Sequence, residues 1–181
     1  MFSRAINNST KIALSIPQFA NELFALTDQN RSMLRQWLPW LDNTLEPKDT
    51  RNFISQQLAQ FAQSKALHTT LFHHGNIAGV LAFNSIDSSN KTGHIGYWLG
   101  ADFHGKGIMT ECVKDLMEIG EKYFSLQRFE IRCAVENTKS RAIPERLGFK
   151  EEGTLRRVEK VNELWYDHVV YGKLTNKLAP H

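Results

Sequence analysis

The chain has 181 residues, of which 41% are hydrophobic and 23% are charged. These proportions are ordinary for a globular protein and exclude disordered and collagen-like classes. The formal net charge is +3, from 22 basic and 19 acidic residues. This mild excess allows an anionic ligand, but we expect no direct nucleic-acid binding. Length and composition predict one folded domain over residues 1–181.

Cysteine use and hydropathy indicate the compartment. Cys112 and Cys133 have no CxxC partner and no histidine at zinc-binding spacing, so we expect reduced, partly buried thiols. The opening segment MFSRAINNST has no apolar signal-peptide core, and no run approaches 18 apolar residues. These features predict a cytoplasmic protein without membrane contact.

A strand and two helices are predicted at the start of the chain. The segment KIALSI has the apolar pattern of a strand, and Pro17 then opens a helical pattern. The second helix lies within EPKDTRNFISQQLAQFA, with Asp49 or Thr50 as its predicted N-cap. Between the helices, LRQWLPWLDN contributes two tryptophans that are expected to pack in the core or to wall a binding groove.

Strands dominate the rest of the chain. Six segments share short apolar runs bounded by turns: HTTLFHH, IAGVLAFNSI, GHIGYWLG, RFEIRCAV, FKEEGTL and LWYDHVVYGKL. Two helices interrupt them, one over residues 110–124 and a short one around SRAIPERLG that ends at Gly148. This order of elements predicts a mixed α/β sheet in a single domain.

The segment GADFHGKGIMTECVKDLM places three glycines directly before the helix over residues 110–124: Gly100, Gly105 and Gly107. Backbone amides at a helix start bind phosphate groups, and glycine lets a ligand approach the main chain. We therefore predict that the amides of residues 106–110 bind a pyrophosphate. Nothing in this arrangement requires a metal.

Three other interpretations of the glycine segment compete with this one. A nucleotide-binding P-loop is disfavoured because Gly107 stands where Ser or Thr must hold magnesium, and no strand ends in a suitable aspartate. A dinucleotide-binding motif is incomplete here. A glycine turn without a ligand stays open as the simplest alternative.

Two segments together resemble the GNAT acetyltransferase superfamily, most closely its RimJ/RimL-type branch of ribosomal-protein N-acetyltransferases. HGKGIM is similar to the superfamily loop Gln/Arg-x-x-Gly-x-Gly/Ala, from which His104 and Met109 depart. ENTKSRAIPERLGFKEEG is similar to the element Asn-x-x-Ser…Glu-x-x-Gly-Phe, and IGYWLG and WLPW match the branch. The resemblance covers nearly the whole chain. It implies an acetyl-CoA-dependent transferase with helices on both faces of a mostly antiparallel sheet, splayed between the fourth and fifth strands.

The resemblance and the loop pattern together define a predicted acetyl-CoA site. A main-chain amide around Trp98 to Gly100 is expected to polarise the thioester carbonyl. Asn137 is expected to bind the pantetheine arm. The predicted cofactor-binding residues are Trp98, Leu99, Gly100, His104, Gly105, Lys106, Gly107, Ile108, Met109, Thr110, Asn137, Ser140 and Arg141.

Acetyl transfer to an amine needs a base for the amine and a proton for the departing thiolate. Glu159 is the predicted base because RimL-like members carry a carboxylate at the matching place, and Glu136 is the second candidate. Ser140 is predicted to protonate the thiolate. Asn137 and Ser140 could instead be caps of a short helix.

Other residues with acid–base or nucleophilic chemistry are given structural interpretations. A cysteine nucleophile is not predicted, because neither cysteine has an adjacent histidine. His94 and His168 could also accept a proton, but isolated histidines in strands are more often packing or surface residues, and they are interpreted so here. The basic residues between positions 139 and 157 could hold the 3′-phosphate of the cofactor, steer an acidic protein, or face solvent.

The predicted activity is direct N-acetylation of a primary amine in a ternary complex. By resemblance, the acceptor is the α-amino group of a protein N-terminus, ribosomal in type. One alternative acceptor is a small amine, such as a polyamine, an amino-acid conjugate or an antibiotic; a CoA-binding module without activity is another alternative. A homodimer could form if the segment DHVVYGKL paired at a sheet edge.

Overall fold

The computed structural model describes residues 3–175, in which eight strands form one sheet of order β1-β2-β3-β4-β5-β6-β8-β7. The strands are β1 Ser3–Ala5, β2 Thr10–Leu14, β3 Leu67–His73, β4 Asn76–Asp87, β5 Thr92–Leu99, β6 Arg128–Ala134, β7 Lys150–Val161 and β8 Leu164–Leu174. Neighbouring strands pair antiparallel, except that β5 and β6 are parallel.

Helices cover both faces of the sheet. They are α1 Ala20–Gln29, α2 Arg31–Leu34, α3 Pro47–Ala62, α4 Ile108–Phe124 and α5 Thr138–Arg146, with short 3-10 turns at Pro17–Phe19, Leu41–Asn43 and Ala101–Phe103. A larger core cluster holds the apolar face of α4, including Leu116, against Phe83 and Phe129. A smaller cluster packs Leu23 of α1 and Ile54 of α3 on the opposite face. The mixed α/β fold is therefore confirmed.

The boundaries of two helices differ from the prediction. α4 begins at Ile108, two residues early, because Gly107 at φ +74° turns the chain straight into the helix. α3 begins at Pro47, so the predicted N-cap at Asp49 or Thr50 is wrong. Asp49 lies inside the first turn, where its carboxylate accepts hydrogen bonds from the amides of Leu45 and Glu46 at 2.9 and 3.0 Å.

The sheet splits between β5 and β6. Only four residue pairs join these strands, from Thr92–Arg128 to Ile95–Ile131. Both strands continue beyond the last pair, and they diverge into a wedge. The splay predicted between the fourth and fifth strands is confirmed. These two strands are β5 and β6 in the structure, because a short strand that was not predicted, β1, precedes the first predicted strand.

The last strand is not at a sheet edge. β8, which contains DHVVYGKL, pairs with β6 on one side and with β7 on the other. Its backbone hydrogen-bonding groups are therefore already used, and the predicted dimer contact through this segment is wrong. On this side the sheet ends with β7, because β8 lies between β6 and β7. None of the helices between residues 3 and 175 is long and apolar enough to cross a membrane.

Candidate active site

A groove of about 1810 Å³ runs along the wedge between β5 and β6 and reaches the β7–β8 hairpin. The structure brings most of the predicted site residues together in its lining: Trp98, Leu99, His104, Gly105, Gly107, Ile108, Met109, Thr110, Asn137, Ser140 and Glu159. Glu136, the second candidate base, also lines it. Three predicted residues do not: Gly100, Lys106 and Arg141.

The glycine loop leads into the first turn of α4. Gly105 and Gly107 have φ of +72° and +74°, the left-handed region that favours glycine. A Cβ at either position would meet no atom within 4 Å, so backbone conformation, not crowding, selects glycine there.

The amides at the start of α4 are free to bind a ligand. The first helical hydrogen bond runs from the Glu111 amide to the Gly107 carbonyl at 3.2 Å. Among the described residues, the preceding amides of Ile108, Met109 and Thr110 have no acceptor. These three N–H groups and the positive end of the helix dipole form an anion-binding surface on the groove.

Arg146 adds a cation to this surface. Its guanidinium donates to Thr110 Oγ1 at 3.1 Å and lines the groove. In the sequence Arg146 is one of several basic residues between positions 139 and 157, and Arg141 was the one predicted to bind the cofactor. Arg141 donates to the Tyr171 hydroxyl at 2.9 Å and to the Val135 carbonyl at 3.0 Å. It connects α5 to β8 and lies outside the groove, so its predicted cofactor role is not supported by the geometry.

Lys106 also lies apart from the groove. Its ammonium is 5.8 Å from the Phe103 ring centroid, and the residue lines a separate pocket of about 380 Å³ with Thr10 and His73. Of the residues whose amides were predicted to bind the pyrophosphate, 107–110 line the groove and Lys106 does not. The lysine side chain faces another surface.

The end of β5 presents one amide to the wedge. The Gly100 N–H donates to the Ala78 carbonyl at 2.9 Å, so it cannot polarise a thioester. Successive amides of a strand point to opposite edges, and the Leu99 N–H therefore points to the open edge of β5. The Leu99 carbonyl accepts a hydrogen bond from His104 Nε2 at 3.1 Å. His104 thus holds the loop against the strand end.

Asn137 is the N-cap of α5. Its Oδ1 accepts a hydrogen bond from the Ser140 amide at 3.2 Å. The capping interpretation is confirmed for Asn137, and its Nδ2 keeps no partner among the described residues. The cap therefore leaves a donor available to a ligand in the groove.

The Ser140 side chain lies against β6. Its Oγ is 3.4 Å from Cys133 Sγ. Burial raises the pKa of the Cys133 thiol, and it raises the pKa of Cys112 to about 12. Both shifts disfavour the thiolate, the form in which cysteine acts as a nucleophile.

Tyr97 connects β5 to α5 across the wedge. Its hydroxyl donates to the Ser140 carbonyl at 2.9 Å. In a regular helix the amide four residues later would make this bond, but Pro144 has no N–H. Desolvation raises the pKa of Tyr97 well above its usual value, so the hydroxyl remains a donor. The sequence shows the proline, but not which residue compensates for it.

Glu159, the predicted base, lies in β7 near its end. Its Oε2 is 3.2 Å from Nε2 of His168, which also lines the groove. A bulge in β7 creates this contact. Leu155 pairs with His168 and Glu159 pairs with Tyr166, so β7 advances by four residues where β8 advances by two. His168 was interpreted as a packing or surface residue, and this contact in the groove corrects that interpretation.

A hydrogen bond between a backbone amide and a side chain holds the bulge before Glu159. Arg157 has φ +48°, and its amide donates to Asp167 Oδ1 at 2.7 Å. Bulges of this kind redirect side chains at functional sites. Here the two extra residues of β7 bring the Glu159 carboxylate to the groove.

The sequence matches known acetyltransferases over most of its length. The family model described as "Acetyltransferase (GNAT) domain" matches residues 16–150. YdaF of Bacillus subtilis (strain 168) is 34% identical over 175 residues, 96% of each chain. The ribosomal-protein-serine acetyltransferase of Escherichia coli (strain K12) is 28% identical over 169 residues, 93% of this chain and 94% of that protein.

Solved structures agree with these matches. The microcin C7 self-immunity acetyltransferase MccE, in complex with acetyl-CoA and AMP, is 37% identical with a TM-score of 0.90, covering 94% of both chains. The ribosomal L7/L12 α-N-protein acetyltransferase RimL, in complex with coenzyme A, is 28% identical with a TM-score of 0.91, covering 94% of this chain and 96% of that one. The chain belongs to the GNAT acetyltransferase family.

Proposed function

We propose that the chain transfers the acetyl group directly from acetyl-CoA to the α-amino group of a protein N-terminus. The observation that carries this proposal is that one continuous groove is lined by the free amides of α4, by Ser140 and by Glu159. A groove of about 1810 Å³ has room for both substrates together. Direct transfer in a ternary complex therefore needs no covalent bond to the protein.

Each proposed binding contact uses a residue that lines the groove. The amides of residues 108–110 and the Arg146 guanidinium bind the pyrophosphate. The Asn137 Nδ2 group donates to the pantetheine arm. The Leu99 N–H donates to the thioester oxygen, where negative charge develops during attack. Acetyl-CoA supplies an acetyl group activated as a thioester.

Two side chains move the protons. Glu159 takes a proton from the incoming ammonium, so that the amine nitrogen can form the new bond to the acetyl carbon. Ser140 donates its hydroxyl proton to the sulfur as the carbon–sulfur bond breaks, and it regains a proton from the nitrogen, which releases its second proton on becoming an amide. An α-amino group has a pKa of about 8, so a single carboxylate suffices as the base. These roles for Glu159 and Ser140 are part of the proposal.

The acceptor class is supported by relatives that act on ribosomal proteins, RimL among them. We propose to test it by incubating the protein with labelled acetyl-CoA and ribosomal proteins, followed by mass spectrometry of their N-termini. The Glu159→Gln variant should lose at least tenfold in turnover, because it removes the base. Glu163→Gln, at an exposed position four residues later on the same hairpin, is the matched control and should keep full activity.

A small conjugate of an amino acid with a nucleotide is the second candidate acceptor. MccE, at 37% identity, was solved with AMP as well as acetyl-CoA. Trp40 and Phe53 are large aromatic residues that stay 39% and 45% exposed, and both line the groove. Exposed aromatic faces suit a nucleobase. Acetylation of a stable aminoacyl-adenylate analogue, lost in Trp40→Ala, would favour this acceptor.

The two acceptors and a non-catalytic module give different results in one assay. Thiol release from acetyl-CoA is measured with ribosomal proteins, with the adenylate analogue and with spermidine. Turnover of the proteins alone supports the N-terminal acceptor. Binding of acetyl-CoA without thiol release, with every amine tested, would contradict catalysis and favour the module.

A further inference from the structure

His68 is a buried histidine that borders the groove. It lies in β3, is only 6% exposed, and lines the groove near Phe53, whose ring centroid is 5.1 Å away. Its Nδ1 is 2.8 Å from Ser15 Oγ, and its Nε2 has no partner among the described residues. In residues 3–175 the sole fully buried side-chain nitrogen or oxygen without a partner is Asp115 Oδ2. His68 Nε2 is therefore not enclosed, and it opens into the groove.

The hydrogen-bond chain behind His68 fixes which nitrogen carries the proton. Ser15 Oγ is also 2.8 Å from Thr70 Oγ1, and the Thr70 hydroxyl has no other partner among the described residues. Both hydroxyl hydrogens of this buried chain are used only if Thr70 donates to Ser15 and Ser15 donates to His68 Nδ1. The neutral ring then carries its hydrogen on Nε2. Burial lowers the pKa of His68 to about 4, so the ring stays neutral near pH 7.

Asn84 lies on the same face of the sheet as His68, and both residues line the groove. The register of β4 and β5 shifts between Phe83 and Ser85, which leaves Asn84 unpaired in a bulge. Its amide lies over Gly96: a Cβ built there would be 2.2 Å from Asn84 Nδ2. The amide has no hydrogen-bond partner within residues 3–175, and it offers both a donor and an acceptor to the groove.

The register places this pair at the mouth of the wedge. His68 pairs with Ala82, and Ala82 pairs with Gly96, so these three residues form a row across the sheet. Gly96 directly follows Ile95, the last residue of β5 that pairs with β6. The His68 N–H and the Asn84 amide therefore lie in the groove beside the start of the wedge, on the face covered by α1 and α3.

We propose that His68 and Asn84 bind the first peptide group of the acceptor, with the His68 Nε2–H donating to its carbonyl oxygen and the Asn84 amide pairing with the same group. The proposal rests on the proposed function and deepens it. An α-amino group of a peptide has a carbonyl two bonds away, whereas a polyamine has none. A peptide group also has the donor and acceptor that match an asparagine amide. The site thereby selects peptide-type amines over simple amines.

The test compares two acceptors that differ in one group. One is a tripeptide with a free N-terminus, and the other is the same molecule with its first carbonyl replaced by methylene. His68→Leu removes the N–H at similar volume, and Asn84→Ala changes an exposed residue without touching the core. Each should lower kcat/KM for the tripeptide about tenfold and leave kcat/KM for the methylene analogue and the affinity for acetyl-CoA unchanged. Ser85→Ala, a neighbour that also lines the groove, is the matched control.

Equal losses on the two acceptors, or no loss on either, would overturn the peptide-group site. Preference of the wild type for the methylene analogue or for spermidine would also overturn it, while acetyl transfer itself would stand.

Nuclear magnetic resonance of ¹⁵N-histidine protein saturated with coenzyme A gives a reading that does not depend on turnover. The His68 signals should report hydrogen on Nε2 and should shift when the tripeptide is added. A His68 signal that does not move at saturating tripeptide contradicts the site.

Discussion

Glu159 Oε2 and His168 Nε2 lie 3.2 Å apart on adjacent strands, and both side chains line the groove. The imidazole lies against the carboxylate and limits its orientation, and the bulge held by Asp167 brings the two groups together. His168 is therefore a positioning residue for the proposed base. Its contribution can be separated from that of Glu159 by substitution.

His168→Leu should lower kcat about tenfold, because the carboxylate of Glu159 loses its fixed orientation. His168→Gln keeps an N–H group and should recover part of this loss. The KM for acetyl-CoA should not change in either variant. Steady-state thiol release checks this. Equal activity of the leucine variant and the wild type would show that the contact has no role in turnover.

Asp167→Ala should weaken the bulge itself. The variant removes the acceptor of the Arg157 amide. The strained backbone of Arg157, with φ +48°, is then no longer stabilised by this hydrogen bond. We expect kcat to fall by a factor of about 3 to 30, with a loss of about 1 kcal/mol in unfolding free energy. Kinetics and urea unfolding on the same preparation measure both. A stability loss without a change in kcat would separate the bulge from catalysis.

Tyr97→Phe should leave the Ser140 carbonyl without a donor. The expected cost is about 1–3 kcal/mol of unfolding free energy. Pro144→Ala restores an amide that can donate to the same carbonyl. The double variant should therefore lose less than Tyr97→Phe alone, which a double-mutant cycle in urea detects. Strict additivity of the two changes would contradict the compensation between Tyr97 and Pro144.

Arg146→Gln and Arg141→Gln should have different effects, although both arginines lie on α5. Arg146 reaches the start of α4 through Thr110, so its loss should raise the KM for acetyl-CoA about tenfold. Arg141 connects α5 to Tyr171 and Val135, so its loss should lower stability and leave that KM unchanged. Titration with acetyl-CoA distinguishes the two variants. A raised KM in Arg141→Gln alone would reverse the assignment made from the structure.

Acid should destabilise the protein through His68. The pKa of the buried ring is about 4 in the folded chain, below the ordinary value of 6.5. The unfolded chain therefore binds a proton first, and the stability present above pH 6.5 is lost as the pH falls towards 4. The total effect is about 3 kcal/mol. Unfolding free energies measured between pH 7 and pH 4 should fall more steeply for the wild type than for His68→Leu, and parallel curves would contradict this.

The features that the sequence determined by itself are local. Glycine at positions 105 and 107 permits the left-handed turn that starts α4, because no other residue adopts that conformation at so little cost. Alternating apolar residues specified the strands, and Asn137 followed by Ser140 specified the start of α5. Each of these depends on neighbours within a few positions, so the fold class and the glycine turn into α4 could be predicted from the sequence.

Only the tertiary structure decided which distant side chains meet. The sequence does not distinguish Arg146 from Arg141, since both are arginines of the same short helix. Only the packing of α5 against α4 places Arg146 at the groove. Glu159 reaches His168 through a strand bulge, whose register depends on β8. Tyr97 reaches Ser140 across 43 positions. Such contacts depend on strand register and helix packing, which are set by the whole core and not by the local pattern.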